Sequence, residues 1–448
     1  MNRIDVCVRG AKMVTSFDVI EGNLYVHNGK ILAVGQLEAP AAEVIDAGGL
    51  LLLPGMVDAH VHFMDPGDTS REDFPNGSAA AAKAGVTTVI EHTHASPVYN
   101  EKDLHDKINY LGGRSFIDFG LAAHFPHMDV QKIDELIQAG AAFIKVFTCT
   151  THGIKAVGSG PLFKAMSQNK NKNVVFLVHA EDDSLTEIAE SQLRASGRRD
   201  GRVIVEWRNR LAEEVAVNTI AKLVEASGAK VVIAHCSYAD VIDTVAEYRT
   251  RGVNLWAECC AQYLLLKENE IEELKGLRKF TPPARGLSDE DLESMWERLR
   301  NGRISYLASD HAPATRSQKE DGSIWDVPFG LPGIDTSLPL MLDAVSKGCL
   351  SYPRLVEVYS RMPAWLYGLY PRKGALQVGS DGDFILVDPD SEYLLKDSDI
   401  VSKAGWTPYA GRSVRGRVLA TFLGGNKIAE NNDVISTSMF GKYIPRSV

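Results

Sequence analysis

Eight short apolar runs, each followed by a longer amphipathic segment, constrain this chain more than any other feature. They span residues 57–63, 86–93, 117–125, 143–148, 174–181, 230–237, 253–259 and 304–311. Each is bounded by glycine, polar residues or turn signals, as parallel strands buried on both faces are. Between the fifth and sixth runs Val217, Ile220 and Val224 recur at helical spacing, and Gly228 follows as a C-cap. Eight strand–helix units over residues 54–378 predict an α/β chain whose centre is a (β/α)8 TIM barrel. A doubly wound sheet is the alternative, but no Gly-x-Gly-x-x-Gly follows an early strand.

The two ends read differently. Asn28-Gly29 lies between Leu24-Tyr25-Val26 and Ile31-Leu32-Ala33-Val34, a hairpin signal because a type I′ turn needs positive φ at both central residues. Near the other end, Phe384-Ile385-Leu386-Val387 and Val418-Leu419-Ala420-Thr421-Phe422-Leu423 are strands, with Gly424-Gly425-Asn426 as a turn. Residues 1–53 and 379–448 are therefore expected to build one small β-sandwich domain from both chain ends. The polar tail from Glu430 onward is expected on the surface or against a neighbour.

Composition narrows the function. With 48 Lys+Arg against 58 Asp+Glu the net charge is −10, which disfavours nucleic acid and an anionic membrane surface as partners. Six scattered cysteines form no disulfide framework, and no stretch has the length of a membrane span. Met1-Asn2-Arg3-Ile4-Asp5 lacks the apolar run of a signal peptide. A soluble, cytoplasmic protein is expected.

In a barrel the chemistry collects at the C-terminal ends of the strands. Those ends carry His60 and His62, Lys145, His179, His235 and Asp310. A lone histidine there is more often a satisfied core residue than a ligand, and His-x-His is a short pattern. Four histidines, a carboxylate and an apolar-flanked lysine at one level of one barrel favour a metal site. Buried lysine needs compensation for its charge, and burial exposes a nucleophilic amine. A lysine salt-bridged across the mouth is one reading of Lys145. A Schiff-base lysine is another, but it leaves the four histidines unexplained. A CO2-derived carbamate, an anionic ligand able to bridge two metals, uses every residue. Cys149, Cys236, Cys259 and Cys260 lie near these positions and are expected to pack as small hydrophobes.

These stretches together resemble the amidohydrolase superfamily, in its cyclic-amidase branch of hydantoinases, dihydropyrimidinases, allantoinases and dihydroorotases. The likeness runs essentially end to end. It rests on Pro54-Gly55-Met56-Val57-Asp58-Ala59-His60-Val61-His62, Lys145-Val146-Phe147, His179-Ala180-Glu181 and His235-Cys236-Ser237. It continues through Gln262-Tyr263-Leu264, Pro282-Pro283-Ala284-Arg285, Ser309-Asp310-His311-Ala312-Pro313 and Val378-Gly379-Ser380-Asp381-Gly382-Asp383. The resemblance implies two divalent metal ions, usually Zn2+. His60, His62 and Asp310 would hold one, His179 and His235 the other, and carbamylated Lys145 would bridge them. It further implies hydrolysis of a cyclic amide or ureide by a hydroxide shared between the metals, with Asp310 moving the proton to the leaving nitrogen. Relatives are commonly homodimers or homotetramers, and the same is expected here.

Departures from the family pattern bear on substrate. Met64 stands where dihydroorotases carry an arginine for the substrate carboxylate, which disfavours that activity. His94 occupies about the place of an asparagine those enzymes use on substrate; contact with substrate and packing near the mouth both remain open for it. Thr150 replaces the tyrosine that dihydropyrimidinases and D-hydantoinases use as an oxyanion donor, so another donor or ring position is needed. Thr281 and Gly330 sit in segments whose backbone binds the imide ring in relatives. The segment 258–264 is hydantoinase-like, whereas 329–337 leans towards allantoinases and L-type hydantoinases. A hydantoinase-like activity is expected first and an allantoinase-like one second. The rival from another class is a non-catalytic scaffold of this fold, but such relatives have lost metal ligands and none of the six is missing here.

Overall fold

The computed structural model describes residues 4–37, 39–92, 94–126 and 130–447. Thr93, the last residue of the second apolar run, and the start Met1-Asn2-Arg3 lie outside them. All eight runs become parallel strands of one closed barrel. In chain order the strands are Met56–Val61, Val86–Glu91, Asp118–Leu121 continued by Ala123–His124, Ile144–Phe147, Val175–His179, Lys230–Ile233, Leu255–Cys260 and Tyr306–Ala308. Each pairs in parallel with the next, and a bridge between Val61 and His311 closes the ring. The third run, read as one strand, is divided at Ala122. There the chain changes partners, since Ala122 N donates to Glu91 O and Ala123 N to Phe143 O. The helix ahead of the sixth strand spans Arg210–Ser227 and ends at Gly228 with φ 74°.

Buried charge fixes the seam of the barrel. Asp58, in the first strand, accepts from Ser309 N at 3.0 Å and from the Tyr359 hydroxyl at 2.9 Å, tying the first strand to the eighth. Burial raises its carboxyl to about 6, and these donors oppose that rise. Phe63 packs edge-on against Phe74 at 5.1 Å, and only glycine fits at position 77, where a Cβ would lie 2.5 Å from the Phe63 ring.

Both chain ends share a nine-stranded mixed sheet. Its joint is Leu51–Pro54, which lies parallel to Ile4–Val14 on one side and antiparallel to Phe384–Leu394 on the other. Asn28 and Gly29 have φ of 51° and 73°, the paired positive values of the expected turn. Val8, Leu24, Val26, Leu52, Phe384 and Phe422 form a core within this sheet, with the two phenylalanine rings stacked at 4.3 Å.

Lys373 joins this sheet to the barrel. Its ammonium lies 2.5 Å from Asp118, 2.6 Å from Asp383 and 2.9 Å from Asp381. The three carboxylates are spaced to hold a metal ion, but the lysine already occupies their common point. The tail does more than cover surface. Phe119 N donates to Lys442 O and Ile444 N to Phe119 O, Ile444 enters the barrel's interior cluster, and Arg446 caps Ala142 O and Asn173 O. Among the described residues no helix is long and apolar enough to cross a membrane.

Candidate metal centre

Strand ends and loops bring ten of the eleven expected site residues to one cavity. His60, His62, Met64, His94, Lys145, His179, His235, Thr281, Asp310 and Gly330 all line it, at the C-terminal mouth of the barrel. Met64, His235 and Asp310 have φ of 56°, 37° and 48°, conformations rarely adopted by residues with a Cβ. Such strain gathers where the surrounding structure fixes a side chain for a task.

The imidazoles are oriented from behind. His60 Nδ1 donates to Glu258 Oε1 at 2.7 Å, His62 Nδ1 to His92 O at 2.8 Å, and His179 Nε2 to Glu181 Oε2 at 2.6 Å. A nitrogen that donates to an acceptor fixes the tautomer and leaves the other with a free lone pair. His60 Nε2 then lies 3.5 Å from Lys145 Nζ and 3.3 Å from Asp310 Oδ1, and His62 Nε2 lies 3.4 Å from the same oxygen. His179 Nδ1 lies 3.0 Å from His235 Nε2. Burial first, and then the Lys145 charge, push His60 well below the usual imidazole range; burial, His179 and Lys145 do the same to His235. Neutral imidazoles with inward lone pairs are what a cation requires.

Lys145 is 1% exposed. No carboxylate of the described residues reaches salt-bridge distance of it, so the salt-bridged reading fails. Burial lowers its amine to about 8 against the pull of Glu258 and Asp310. For Asp310, burial would raise the carboxyl, but His60, His62 and Lys145 outweigh it and hold it low. Glu181 is similar: burial would raise it, but Arg208, His179 and Arg285 overcome that and bring it to about 2. Besides His179, Glu181 Oε2 accepts the Thr281 hydroxyl at 2.9 Å. Glu258 serves two histidines, taking His235 N at 2.9 Å as well as His60 Nδ1.

Thr150 is a correction. It is exposed, its amide donates to Asp183 Oδ1 at 2.6 Å and its hydroxyl accepts from Ala156 N at 3.3 Å. Thr150 does not line the cavity, whereas His152, at a tight turn with Gly153 (φ of 52° and 76°), does. His152 stacks on His94 at 4.6 Å and 22°. Sequence reasoning misses His152, Arg71 and Phe329, which also line the cavity. All three lie on loops, where neither period nor spacing marks the inward face. Glu181 has a signal, since it follows His179 by two residues at a strand end. The four cysteines near the site, Cys149, Cys236, Cys259 and Cys260, are buried, and burial raises their thiols. Cys149 Sγ also accepts from Arg208 Nη1 at 3.1 Å and sits with His179 and Glu181 at a spacing that could hold a metal ion.

Fold and site together define a (β/α)8-barrel enzyme class built around a histidine-rich centre at the barrel mouth. The family model described as "Amidohydrolase family" matches residues 51–428. The chain belongs to the amidohydrolase family, whose chemistry depends on divalent metal ions. It is 32% identical to an L-hydantoinase of Paenarthrobacter aurescens, over 99% of this chain and 98% of that one. An allantoinase of Rubrobacter xylanophilus is 33% identical, over 97% and 96%. Among solved structures, an L-hydantoinase (dihydropyrimidinase) from Arthrobacter aurescens matches with a TM-score of 0.94 at 31% identity, over 99% and 100%. A dihydropyrimidinase from Brevibacillus agri matches at 0.92 and 28%, over 98% of each chain.

Proposed function

We propose that the protein opens a cyclic amide or ureide ring by hydrolysis, a hydantoin-like ring first and an allantoin-like ring second. One observation carries this: three imidazoles spend their outer nitrogens on fixed acceptors, while their inner ones share a cavity with Lys145 and Asp310. Relatives named L-hydantoinase and allantoinase support the reaction class, and their nearly equal identities do not separate the two rings.

In this reading His60, His62 and Asp310 hold one divalent ion and His179 and His235 a second. Lys145, as its CO2-derived carbamate, would supply an anionic ligand to both, and zinc would be the metal. When bound, such cations activate water for attack and polarise the amide carbonyl. Asp310, kept ionised beside two imidazoles, takes the proton of the attacking water and passes it to the leaving ring nitrogen. Backbone groups of the Thr281 and Gly330 segments hold the ring, and His152, which lines the cavity where Thr150 does not, is the side chain this reading assigns in Thr150's place. Met64 argues against dihydroorotate; Arg71 also lines the cavity, with its Nε donating to Pro313 O and one Nη2 proton to Phe329 O. The same proposal divides the chain at 53/54 and 378/379 and makes it a cytoplasmic homodimer or homotetramer.

The test is to incubate zinc-loaded protein with hydantoin, dihydrouracil, allantoin and dihydroorotate and follow ring opening by chromatography. Hydantoin or allantoin turnover is expected. Turnover of dihydroorotate alone overturns the substrate reading, and a folded protein that binds no metal favours the scaffold.

A further inference from the structure

One wall of the cavity has its backbone carbonyls held by cationic side chains. Between residues 325 and 330 five backbone carbonyls accept from three positively charged side chains. Lys279 Nζ takes Trp325 O at 3.2 Å and Val327 O at 2.7 Å. Arg71 Nη2 takes Phe329 O at 3.1 Å. Lys319 Nζ takes Pro328 O at 2.8 Å and Gly330 O at 2.9 Å, and it spends its third proton on Lys279 O at 2.8 Å. Lys319 is 1% exposed, and no carboxylate of the described residues pairs with it.

That pattern is unusual, because a buried ammonium is normally offset by an opposite charge. Here three carbonyl dipoles complete the shell of a tetrahedral donor. They come from two segments that both enter the cavity: 279–281, which ends in Thr281, and 328–330, which ends in Gly330. Gly330 N also donates to Lys279 O at 3.0 Å, so one carbonyl serves both the lysine and the opposite strand of backbone. The segments have little room to shift, since a Cβ on Gly330 would lie 2.2 Å from Ala312 O. Lys319 itself sits on the short helix Arg316–Glu320, which a Thr315–Gln318 capping box anchors.

We propose that Lys319 is a positioning residue: it touches no substrate, but clamps the two backbone segments that do into one fixed register. The proposal deepens the cyclic-amide reading and rests on it for the roles of Thr281 and Gly330. Preorganised backbone donors lose effect when displaced by about 1 Å, with rate losses on the order of 100-fold.

The experiment compares zinc-loaded wild type, Lys319→Met and Lys319→Gln by steady-state kinetics on hydantoin, metal analysis and amide hydrogen exchange. Lys319→Met keeps the stem and removes all three donors; Lys319→Gln keeps two. With metal content equal to wild type, Lys319→Met is expected to raise KM about 10-fold or more and lower kcat. Exchange in 327–331 and 279–281 is expected to quicken about 10-fold, and Lys319→Gln should fall between. A lowered melting temperature with KM and kcat unchanged for the folded enzyme overturns the proposal, as does unchanged exchange in both segments. Should Lys319→Met not fold, Lys319→Gln decides the matter on the same criteria. If wild type opens no cyclic amide, the function reading fails, and the exchange comparison still decides whether the clamp exists.

Discussion

At the scale of single residues, the proposed centre asks different things of Lys145 and Asp310. Lys145 is fully buried with one imidazole nitrogen at 3.5 Å, and in the proposed reading replacing it removes the ligand common to both metals. Lys145→Ala is expected to bind fewer than two metals and to lose at least about 1000-fold in kcat/KM, checked by elemental analysis beside kinetics. Asp310→Asn keeps the shape but cannot take up a proton. It is expected to lose about 100- to 10,000-fold in kcat, with a smaller change in KM. These proposed ligands are legible in the sequence because each lies in or just past the C-terminal part of an apolar run, and that part of a barrel strand faces the mouth. Thr150 misleads for the opposite reason. Beyond Phe147 the chain leaves the strand, and the positive φ of His152 and Gly153 redirects the loop in a way no periodicity encodes.

Among elements, the eight strands are legible because burial on both faces makes parallel strands continuously apolar. Their ends are not. The run 230–237 supplies a strand of only four residues, Lys230–Ile233, and the remainder forms the bend that presents His235. The union of Leu51–Pro54 with Phe384–Leu394 follows from the likeness of the two ends, whereas the lysine that ties the sheet to the barrel gives no sign in the sequence. Lys373 faces three carboxylates from both sides of the junction, so removing its charge leaves them mutually repelling in a buried place. Lys373→Met is expected to cost about 3–5 kcal/mol by urea unfolding. The cluster also predicts a pH dependence. At Asp381, burial is outweighed by Lys373, Lys30 and Arg372, which depress its pKa from 3.8 to about 2. A depressed carboxyl stabilises the fold above its unfolded pKa, and that contribution fades as pH falls through the folded value. The stability gap between wild type and Asp381→Asn should therefore be widest above pH 4 and narrow towards pH 2 in acid titrations of unfolding.

For the whole molecule, the tail and the shared sheet make the two chain ends part of one cooperative body. Removing residues 441–447 uncovers Ile444 in the barrel interior and frees Arg446 from two carbonyls. The truncated protein is expected to lose about 2–4 kcal/mol and to unfold at a lower temperature in calorimetry, with the metal centre at the opposite end still formed. The shared sheet also sets an order on biosynthesis. Leu51–Pro54 finds its antiparallel partner only at Phe384–Leu394, roughly 330 residues later. At about 5–20 residues per second, the first strands wait on the order of 15–65 s at the ribosome with an open apolar edge. Slower translation lengthens that exposure, so the yield of folded protein should respond to holdase chaperones more than to any stabilising change in the barrel.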